Sequence, residues 1–299
     1  MPSPSQHPGE PQGQRLEQFT GLLPARPADQ VPLDSGLVAA AVCPHPPLLV
    51  PEVAAGAAGE LDGLRDACDA AVAHLLRAAP DVLLTVGAGP EPSGAEIGRP
   101  DVPLSLGVAA WLFERHGVSL SRLAGHTVHP GTSPEQCRAL GRALAGPGRV
   151  ALLVMGDGSA CRSEKAPGYL DPRAEAFDAS VAAALASADA AALLALDPDL
   201  AAELLCAGRA PWQVLAGAMD GPGDGDLAGA WTGHLTYAAA PYGVAYFVAT
   251  LSRRAADDAL SPAEERVADD ALSPAAERVA DDALFSVADG ALFSARERG

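Results

Sequence analysis

The chain has 299 residues, of which 48% are hydrophobic, so it is long enough to enclose a sizeable core. Its 38 Asp and Glu residues outnumber 20 Lys and Arg residues, which gives a formal net charge of −18. A charge of this sign repels phosphate backbones and anionic lipid surfaces, so nucleic acid and membranes are excluded as expected partners.

The cysteines and the N-terminus bear on the compartment. Five cysteines lie far apart without a C-x-x-C pair, which argues against a disulfide framework or a zinc knuckle. The N-terminus lacks the cationic start and apolar stretch of a signal peptide, and no apolar run reaches the roughly 18 residues of a membrane span. We therefore expect a cytoplasmic protein.

In chain order, the first segment is residues 1–35, which is rich in Pro, Gln and Gly and has little apolar periodicity. Such a composition cannot offset the entropy of ordering, so we expect a flexible arm. The body of the protein is expected over residues 36–252. Within it, apolar strand-like runs alternate with Ala-rich helical stretches, which predicts a single-domain α/β sandwich. The predicted strands cover 37–42, 81–86, 149–155 and 243–251, and the predicted helices cover 59–79, 105–116, 133–145, 171–187 and 197–219.

The last segment, residues 253–299, is an acidic tail with a 12-residue repeat: ADDALSPAEERV begins at 256, ADDALSPAAERV at 268 and a decayed copy at 280. Ser261 and Pro262 form a helix-start signal that Glu264 completes as a capping box. The repeated leucines point about 120° apart on a helix and share no face. This pattern favours a solvated, partly helical or disordered extension over a docking tail for a partner.

Three loops follow the predicted strands: 43–49, 87–90 and 156–160. In open α/β sheets, ligands bind outside the carboxyl ends of the strands, so these loops are expected to converge on one crevice. His45 stands between prolines on a stiff turn, which is suited to aiming an imidazole at a metal or substrate. The glycine-rich turn around Asp157 predicts free amides that form an anion nest, or simply a tight strand-to-loop turn.

Several motifs resemble the class III extradiol ring-cleavage dioxygenases, the LigB-like family. The similar stretches are CPHPPLL at 43–49, GDGS at 156–159 with SEKAPGYLD at 163–171, and APYGVAYF at 240–247. They span most of residues 37–250 in the family's order. The resemblance implies a mixed central sheet flanked by helices, and Fe(II) used with dioxygen to open catechol-type rings. The stretch from Cys206 to Leu215 is also similar to the Memo-like branch, in which a cysteine is the third metal ligand.

The resemblance places His45 at the family's first iron ligand. The second histidine is expected in the turn after the second strand, which reads Thr-Val-Gly-Ala-Gly at 85–89, and Ala160 stands at the position of the catalytic histidine. Two hypotheses follow, and neither assigns a catalytic residue. One is an Fe(II)-dependent dioxygenase acting on a small aromatic substrate. The other is a metal-free pseudoenzyme, a binding or scaffold protein on the same fold.

Other residues are weaker candidates for a metal sphere. His126 and His129 would share a helix face at their spacing, but Gly125 and Pro130 indicate a loop. His234 could approach the crevice from the late strands. Cys206 is a candidate soft ligand, although cysteines are often simply buried.

The expected pocket consists of Asp157, Ser159, Lys165, Arg209 and Trp212. A serine hydrolase is disfavoured, because the elbow pattern G-x-S-x-G is absent around Ser159. Lys165, the single lysine, is interpreted as a pocket cation or as a local ion pair with Glu164. Arg209 and Trp212 would add an anion clamp and an aromatic wall. The expected partner is a small aromatic molecule, and a homo-oligomer stays open.

Overall fold

The computed structural model describes residues 36–54, 59–89, 94–95, 102–220 and 230–254. The predicted arm at 1–35 and the repeats of the predicted tail lie outside these described residues. In the part of the chain that is described, no helix combines the length and the apolarity needed to cross a membrane.

A central mixed sheet organises the described residues. Its strands are β1 (Gly36–Cys43), β2 (Val82–Ala88), β3 (Gly94–Ala95), β4 (Leu123–Val128), β5 (Arg149–Met155), β6 (Trp231–Ala239) and β7 (Tyr246–Arg253). Their spatial order is β3-β4-β2-β5-β1-β7-β6. The four central strands β4, β2, β5 and β1 run parallel, and β3, β7 and β6 are antiparallel to their neighbours.

Helices cover both faces of the sheet. They are α1 (Pro51–Ala54), α2 (Asp62–Arg77), α3 (Leu104–Arg115), α4 (Pro134–Leu144), α5 (Ala174–Ser187), α6 (Ala190–Leu194), α7 (Pro198–Glu203) and α8 (Arg209–Met219). The first face carries α2 and α3, and the second carries α4 to α8, as the two main clusters of buried apolar residues show. The predicted α/β class, with a mixed sheet flanked by helices, is therefore confirmed.

Strand β5 shows why the central strands are continuous apolar runs. Val150, Leu152 and Val154 belong to the cluster beneath α4–α8, whereas Leu153 and Met155 belong to the cluster beneath α2 and α3. Successive side chains point to opposite faces, and both faces are covered by helices. Every position of β5 except its first is therefore buried and apolar.

Helices α4 and α8 approach so closely that their backbones are in contact. Both contact points are glycines, Gly141 on α4 and Gly217 on α8. A Cβ atom on Gly141 would overlap the Val214 carbonyl oxygen, and one on Gly217 would overlap the Arg138 carbonyl oxygen. The crossing of these two helices therefore requires the absence of a side chain at both positions.

Some predicted boundaries were wrong. The predicted helix 197–219 is two helices, α7 and α8, because the chain turns at Leu205 and Gly208 between them. The predicted strand 243–251 begins at Tyr246, after a short turn at Pro241–Gly243. Strands β4 and β6 were not predicted, and their sequences, LAGHTV and WTGHLTYAA, are interrupted by Gly and His.

The connections define one crevice in the sheet. The chain leaving β1 enters α1 and α2 on the first face, whereas the chain leaving the adjacent β5 enters α5 on the second face. Ligands of open α/β sheets bind where neighbouring strands send their connections to opposite faces. The carboxyl ends of β1 and β5 are therefore the position where a ligand site is expected.

Candidate functional site

His45 and Asp157 form the centre of the β1–β5 crevice. His45 follows β1, and its backbone N–H donates a hydrogen bond of 2.8 Å to the Asp157 carboxylate, which follows β5. The imidazole Nδ1 lies 3.5 Å from the same oxygen, and it is buried without a hydrogen-bond partner. The two predicted residues are thus brought together, and the imidazole retains an unused polar atom.

The environment of Asp157 changes the pKa of its carboxyl. Burial raises the pKa of the Asp157 carboxyl above its ordinary value, and the neighbouring His45 charge and amide act in the opposite direction. The Asp157 side chain keeps 17% of its surface exposed, so it remains open to a ligand at the crevice. Burial therefore makes the Asp157 carboxyl hold its proton more strongly than an exposed carboxyl does, next to an imidazole that can exchange a proton with a ligand.

This shift predicts how stability depends on pH. Because the pKa of Asp157 is higher in the folded state, ionisation costs more there, and stability is lost as the pH rises above the ordinary value of 3.8. Asp157→Asn should keep an acceptor for the His45 amide and remove this loss. We expect its unfolding free energy to exceed that of the wild type at pH 7, and the excess to vanish as the pH falls below 4. Urea unfolding at a series of pH values measures this difference.

Asp171 offers a control of opposite sign. Its bonds to Arg173 lower the pKa of the Asp171 carboxyl to about 2, so its contribution to stability is present above pH 3.8 and is lost as the pH falls towards 2. Asp171→Asn should therefore lose stability relative to wild type at neutral pH. A pH-independent effect of Asp157→Asn would contradict the prediction for the crevice.

The turn after β5 is a tight strand-to-loop turn and not an anion nest, so the second of the two predicted alternatives holds. Four of its amides donate to protein oxygens: Gly156 to Cys43, Gly158 to Ala245, Ser159 to Asp178 and Ala160 to Leu204. An anion would have to displace these bonds. The turn is a rigid, internally bonded structure that fixes the position of Asp157 in the crevice.

Ser159 belongs to a buried polar network. Its hydroxyl donates to one oxygen of the Asp178 carboxylate at 2.6 Å, and its amide donates to the other at 2.9 Å. Arg162 donates to the same carboxylate at 3.1 Å. Ser159 is fully buried, so it does not face a ligand as the predicted pocket serine would. Asp178, which sequence reasoning missed, anchors the turn from α5.

Trp212 packs against the glycine-containing turns at Gly156 and Gly208. It is fully buried, with its ring 6.0 Å from that of Phe247 in an edge-to-face arrangement. A Cβ on Gly156 would lie 2.5 Å from the Gly208 Cα and 3.1 Å from Trp212 Nε1, so the two glycine turns and the indole are in close contact. Trp212 is therefore a core residue that supports these turns, and not the aromatic wall of a pocket as predicted.

Arg209 also has a structural role. Its guanidinium donates to the Thr132 carbonyl at 2.6 Å, to the Gln213 side chain at 2.9 Å, and to the Pro130 carbonyl. The residue is buried, and burial lowers the pKa of its guanidinium. These bonds tie α8 to the loop before α4, so the prediction of an anion clamp is replaced by a helix-to-loop tie.

Lys165 lies on the surface of the loop that follows Cys161. Among the described residues, no ion pair joins it to Glu164. The local ion pair is therefore absent from the described contacts, and an exposed lysine does not line the buried part of the crevice.

Cys206 contacts the crevice through its thiol. The Sγ atom donates to the Asp157 carbonyl at 3.4 Å, and burial raises the pKa of the thiol to about 12. The thiol is therefore protonated at neutral pH and would have to lose its proton to bind a metal as a thiolate. Within the described ranges, no group of three or more His, Cys, Asp or Glu side chains is arranged to hold a metal ion.

The position of the expected second histidine has little room for a side chain. A Cβ on Gly87 would overlap Ser105, whose hydroxyl donates to the Ala88 carbonyl, and one on Gly89 would lie 2.7 Å from Thr127 Cβ. Ala160 provides no proton-transfer group where the family's catalytic histidine is expected. The described residues therefore do not fit the Fe(II) site that the resemblance implies.

The three other candidate histidines, His126, His129 and His234, lie on or next to strands β4 and β6, not on the turns after β1 and β5. His126 is within β4 and half buried, where burial lowers the pKa of its imidazole, whereas His129 follows the strand and its ring accepts from the Gly131 amide. The two histidines therefore lie in and directly after a strand, and they do not share a helix face. His234 is exposed in the middle of β6, at the edge of the sheet and away from the crevice.

Comparison with known proteins identifies no family. No family model matches the chain, and no curated protein matches it. Among solved structures, the fold is similar to that of the uncharacterized protein JW3007 from Escherichia coli K12, with 12% sequence identity and a TM-score of 0.43. The likeness covers 72% of this chain and 99% of that protein.

Proposed function

We propose that this chain is a LigB-like protein that binds a small phenolic molecule in the β1–β5 crevice without the family's iron. The observation that carries the proposal is the pairing of His45 and Asp157 at the carboxyl ends of adjacent strands. The buried imidazole Nδ1 lies 3.5 Å from the Asp157 carboxylate but makes no hydrogen bond. A buried polar atom without a hydrogen bond is costly, and a ligand hydroxyl would satisfy it.

The chemistry of the crevice favours a neutral phenol. Asp157 and its raised pKa supply a proton donor or acceptor, and His45 supplies an imidazole nitrogen. The nearby arginines, Arg162 and Arg209, already bond protein oxygens. An aromatic carboxylate would therefore meet an acidic crevice without a dedicated cation, whereas a catechol-type hydroxyl would find both a donor and an acceptor.

The proposed compartment is the cytoplasm. All five cysteines are free and buried, as is usual for proteins that fold under reducing conditions.

Binding of catechol in metal-free buffer tests the proposal. We expect titration calorimetry with EDTA present to detect binding, and His45→Ala to weaken it by about tenfold, the effect of losing one hydrogen bond of roughly 1.4 kcal/mol. Asp157→Asn should weaken it less, because the amide still accepts a hydrogen bond. Ser187→Ala, an exposed substitution on α5, serves as the control and should leave binding unchanged.

Metal loading separates this proposal from an iron-dependent dioxygenase. Protein without a polyhistidine tag, loaded anaerobically with Fe(II) and desalted, is expected to retain less than about a tenth of an equivalent of iron, because one imidazole and one carboxylate leave the metal sphere incomplete. Near-stoichiometric iron that is lost in His45→Ala, with dioxygen consumed when catechol is added, would overturn the metal-free proposal. Catechol that fails to bind with or without iron would reject both.

A further inference from the structure

Several exposed apolar side chains lie on or next to the loop that follows the β5 turn. We call Tyr169, Leu170, Leu205 and Tyr242 the apolar rim. Their exposed fractions are 61%, 50%, 53% and 44%. In the described part of the chain only Val53 and Leu104 are other large hydrophobic residues with comparable exposure. Single exposed hydrophobic residues are ordinary, but a group of them is characteristic of an interaction surface.

Contacts of the 161–170 loop bring the rim together. A Cβ on Gly168, next to Tyr169, would lie 3.0 Å from Leu205 Cδ1. Gly243, next to Tyr242, contacts Ala166, and the Arg162 amide donates to the Gly243 carbonyl. The segments that carry the four rim residues therefore all contact the 161–170 loop or belong to it.

The backbone of the rim is strained. Tyr169, Leu205 and Tyr242 have φ values of 61°, 54° and 59°, in the left-handed region that disfavours residues with a side chain. Leu205 directly follows Leu204, the C-cap residue of α7, and glycine is preferred at the position after a helix C-cap. Folding alone would favour glycine at these positions, so large apolar side chains there suggest a role outside folding.

Charge around the rim selects its occupant. Glu60 accepts a hydrogen bond from the Tyr242 hydroxyl, Asp171 follows Leu170, and Glu203 precedes Leu205 by two residues. Two bases lie beside them. Arg173 is already bonded to Asp171 and Glu203, and Lys165 is exposed on the same loop, next to the exposed Glu164. With Glu164 included, four acidic residues outnumber the two bases, so the rim has an acidic border and complements an apolar surface that carries Lys or Arg.

The same charges disfavour this chain as the occupant. A second copy would bring a formal charge of −18, and residues 255–299 carry eleven Asp and Glu against four Arg. Both would meet the acidic border with like charge, which opposes association.

We propose that the apolar rim is a docking surface for another protein, which contributes leucine-like side chains flanked by basic residues. None of the four rim residues belongs to the His45–Asp157 pair, so this proposal does not depend on the proposed function.

Fluorescence anisotropy with a labelled helical peptide tests the docking surface. The probe is a peptide of about 15 residues made of Leu and Lys on opposite faces, and a Leu/Glu peptide of the same pattern is the control probe. We expect the Leu/Lys peptide to bind the full chain at least about tenfold more tightly than the Leu/Glu peptide. The variant Leu170→Ser/Leu205→Ser should weaken Leu/Lys binding by about tenfold or more without changing any charge.

Val53→Ser/Leu104→Ser is the matched control variant, since it removes equally exposed apolar side chains outside the rim. It should bind the peptide like wild type, and circular-dichroism melts should show that both variants fold. Equal binding by the rim and control variants would overturn the proposal, because attraction would then come from net charge alone. A dimer seen by sedimentation velocity in the wild type and lost in the rim variant would also overturn it in favour of a second copy.

Discussion

Replacing Gly141 with alanine is expected to lower the free energy of unfolding by about 3 kcal/mol, the cost of forcing a methyl group into a closely packed contact. The added Cβ would overlap the Val214 carbonyl oxygen and lie 2.6 Å from the Ala218 amide nitrogen. Both are backbone atoms of α8, so neither can rotate away, and the helices must separate. Urea denaturation followed by circular dichroism measures the loss.

Gly107→Ala is the matched control for this substitution. Gly107 also lies in a helix, α3, but a Cβ there would meet nothing within 4 Å. Alanine should therefore stabilise the protein by about 0.5–1 kcal/mol, because it is the better helix former. If Gly141→Ala changed the free energy of unfolding as Gly107→Ala does, the result would contradict the close contact between α4 and α8.

Removing the Asp178 carboxylate should have a comparable effect. Asp178→Ala leaves the Ser159 amide and hydroxyl and the Arg162 guanidinium without their shared acceptor. Breaking a buried charge network by deleting one partner costs about 3–5 kcal/mol, since the remaining groups stay desolvated. We expect the unfolding free energy to fall by about 3 kcal/mol, the lower end of this range, because Arg162 is partly exposed.

Asp189→Ala separates this effect from the loss of any capping carboxylate. Asp189 is exposed and accepts from the Ala192 amide at the start of α6. Its removal should cost about 1 kcal/mol, the usual value for a helix N-cap. Equal losses in the two variants would show that the bonds around Asp178 behave like a surface cap.

The sequence predicted the central part of the fold because its strands are buried on both faces. The predicted strand 149–155 coincides with β5, and 37–42 and 81–86 match β1 and β2 within two residues. Unbroken apolar runs of this length have few alternatives. The outer strands were missed, since β6 alternates exposed Thr and His with half-buried residues and contains a glycine.

The glycine of β6 is Gly233, and the packing of a helix against the strand accounts for it. A Cβ there would overlap the Leu185 carbonyl oxygen at the end of α5, so the strand gives up a side chain to let the helix pack. Such a requirement comes from a contact distant in sequence, and a local pattern cannot indicate it.

The candidate site was predictable in its position but not in its bonding. The rule that ligands bind at the carboxyl ends of strands was enough to bring His45 and Asp157 together. Whether the amides of the turn at 156–160 were free depended on acceptors at Cys43, Leu204 and Ala245, which lie far away in the sequence. Asp178 was missed for a similar reason: a carboxylate in an Ala-rich helix resembles an ordinary solvated residue until its buried partners are known.

Residue 160, in the turn at 156–160, is restrained by packing and not by hydrogen bonds of its side chain. The bonds that fix the shape of the turn come from the main chain and from Asp178, and none uses the side chain of Ala160. Ala160 is buried, so a larger side chain there would need room in the packing around the turn. The hydrogen bonds of the turn would therefore accept most residue types at this position, whereas its surroundings select a small one.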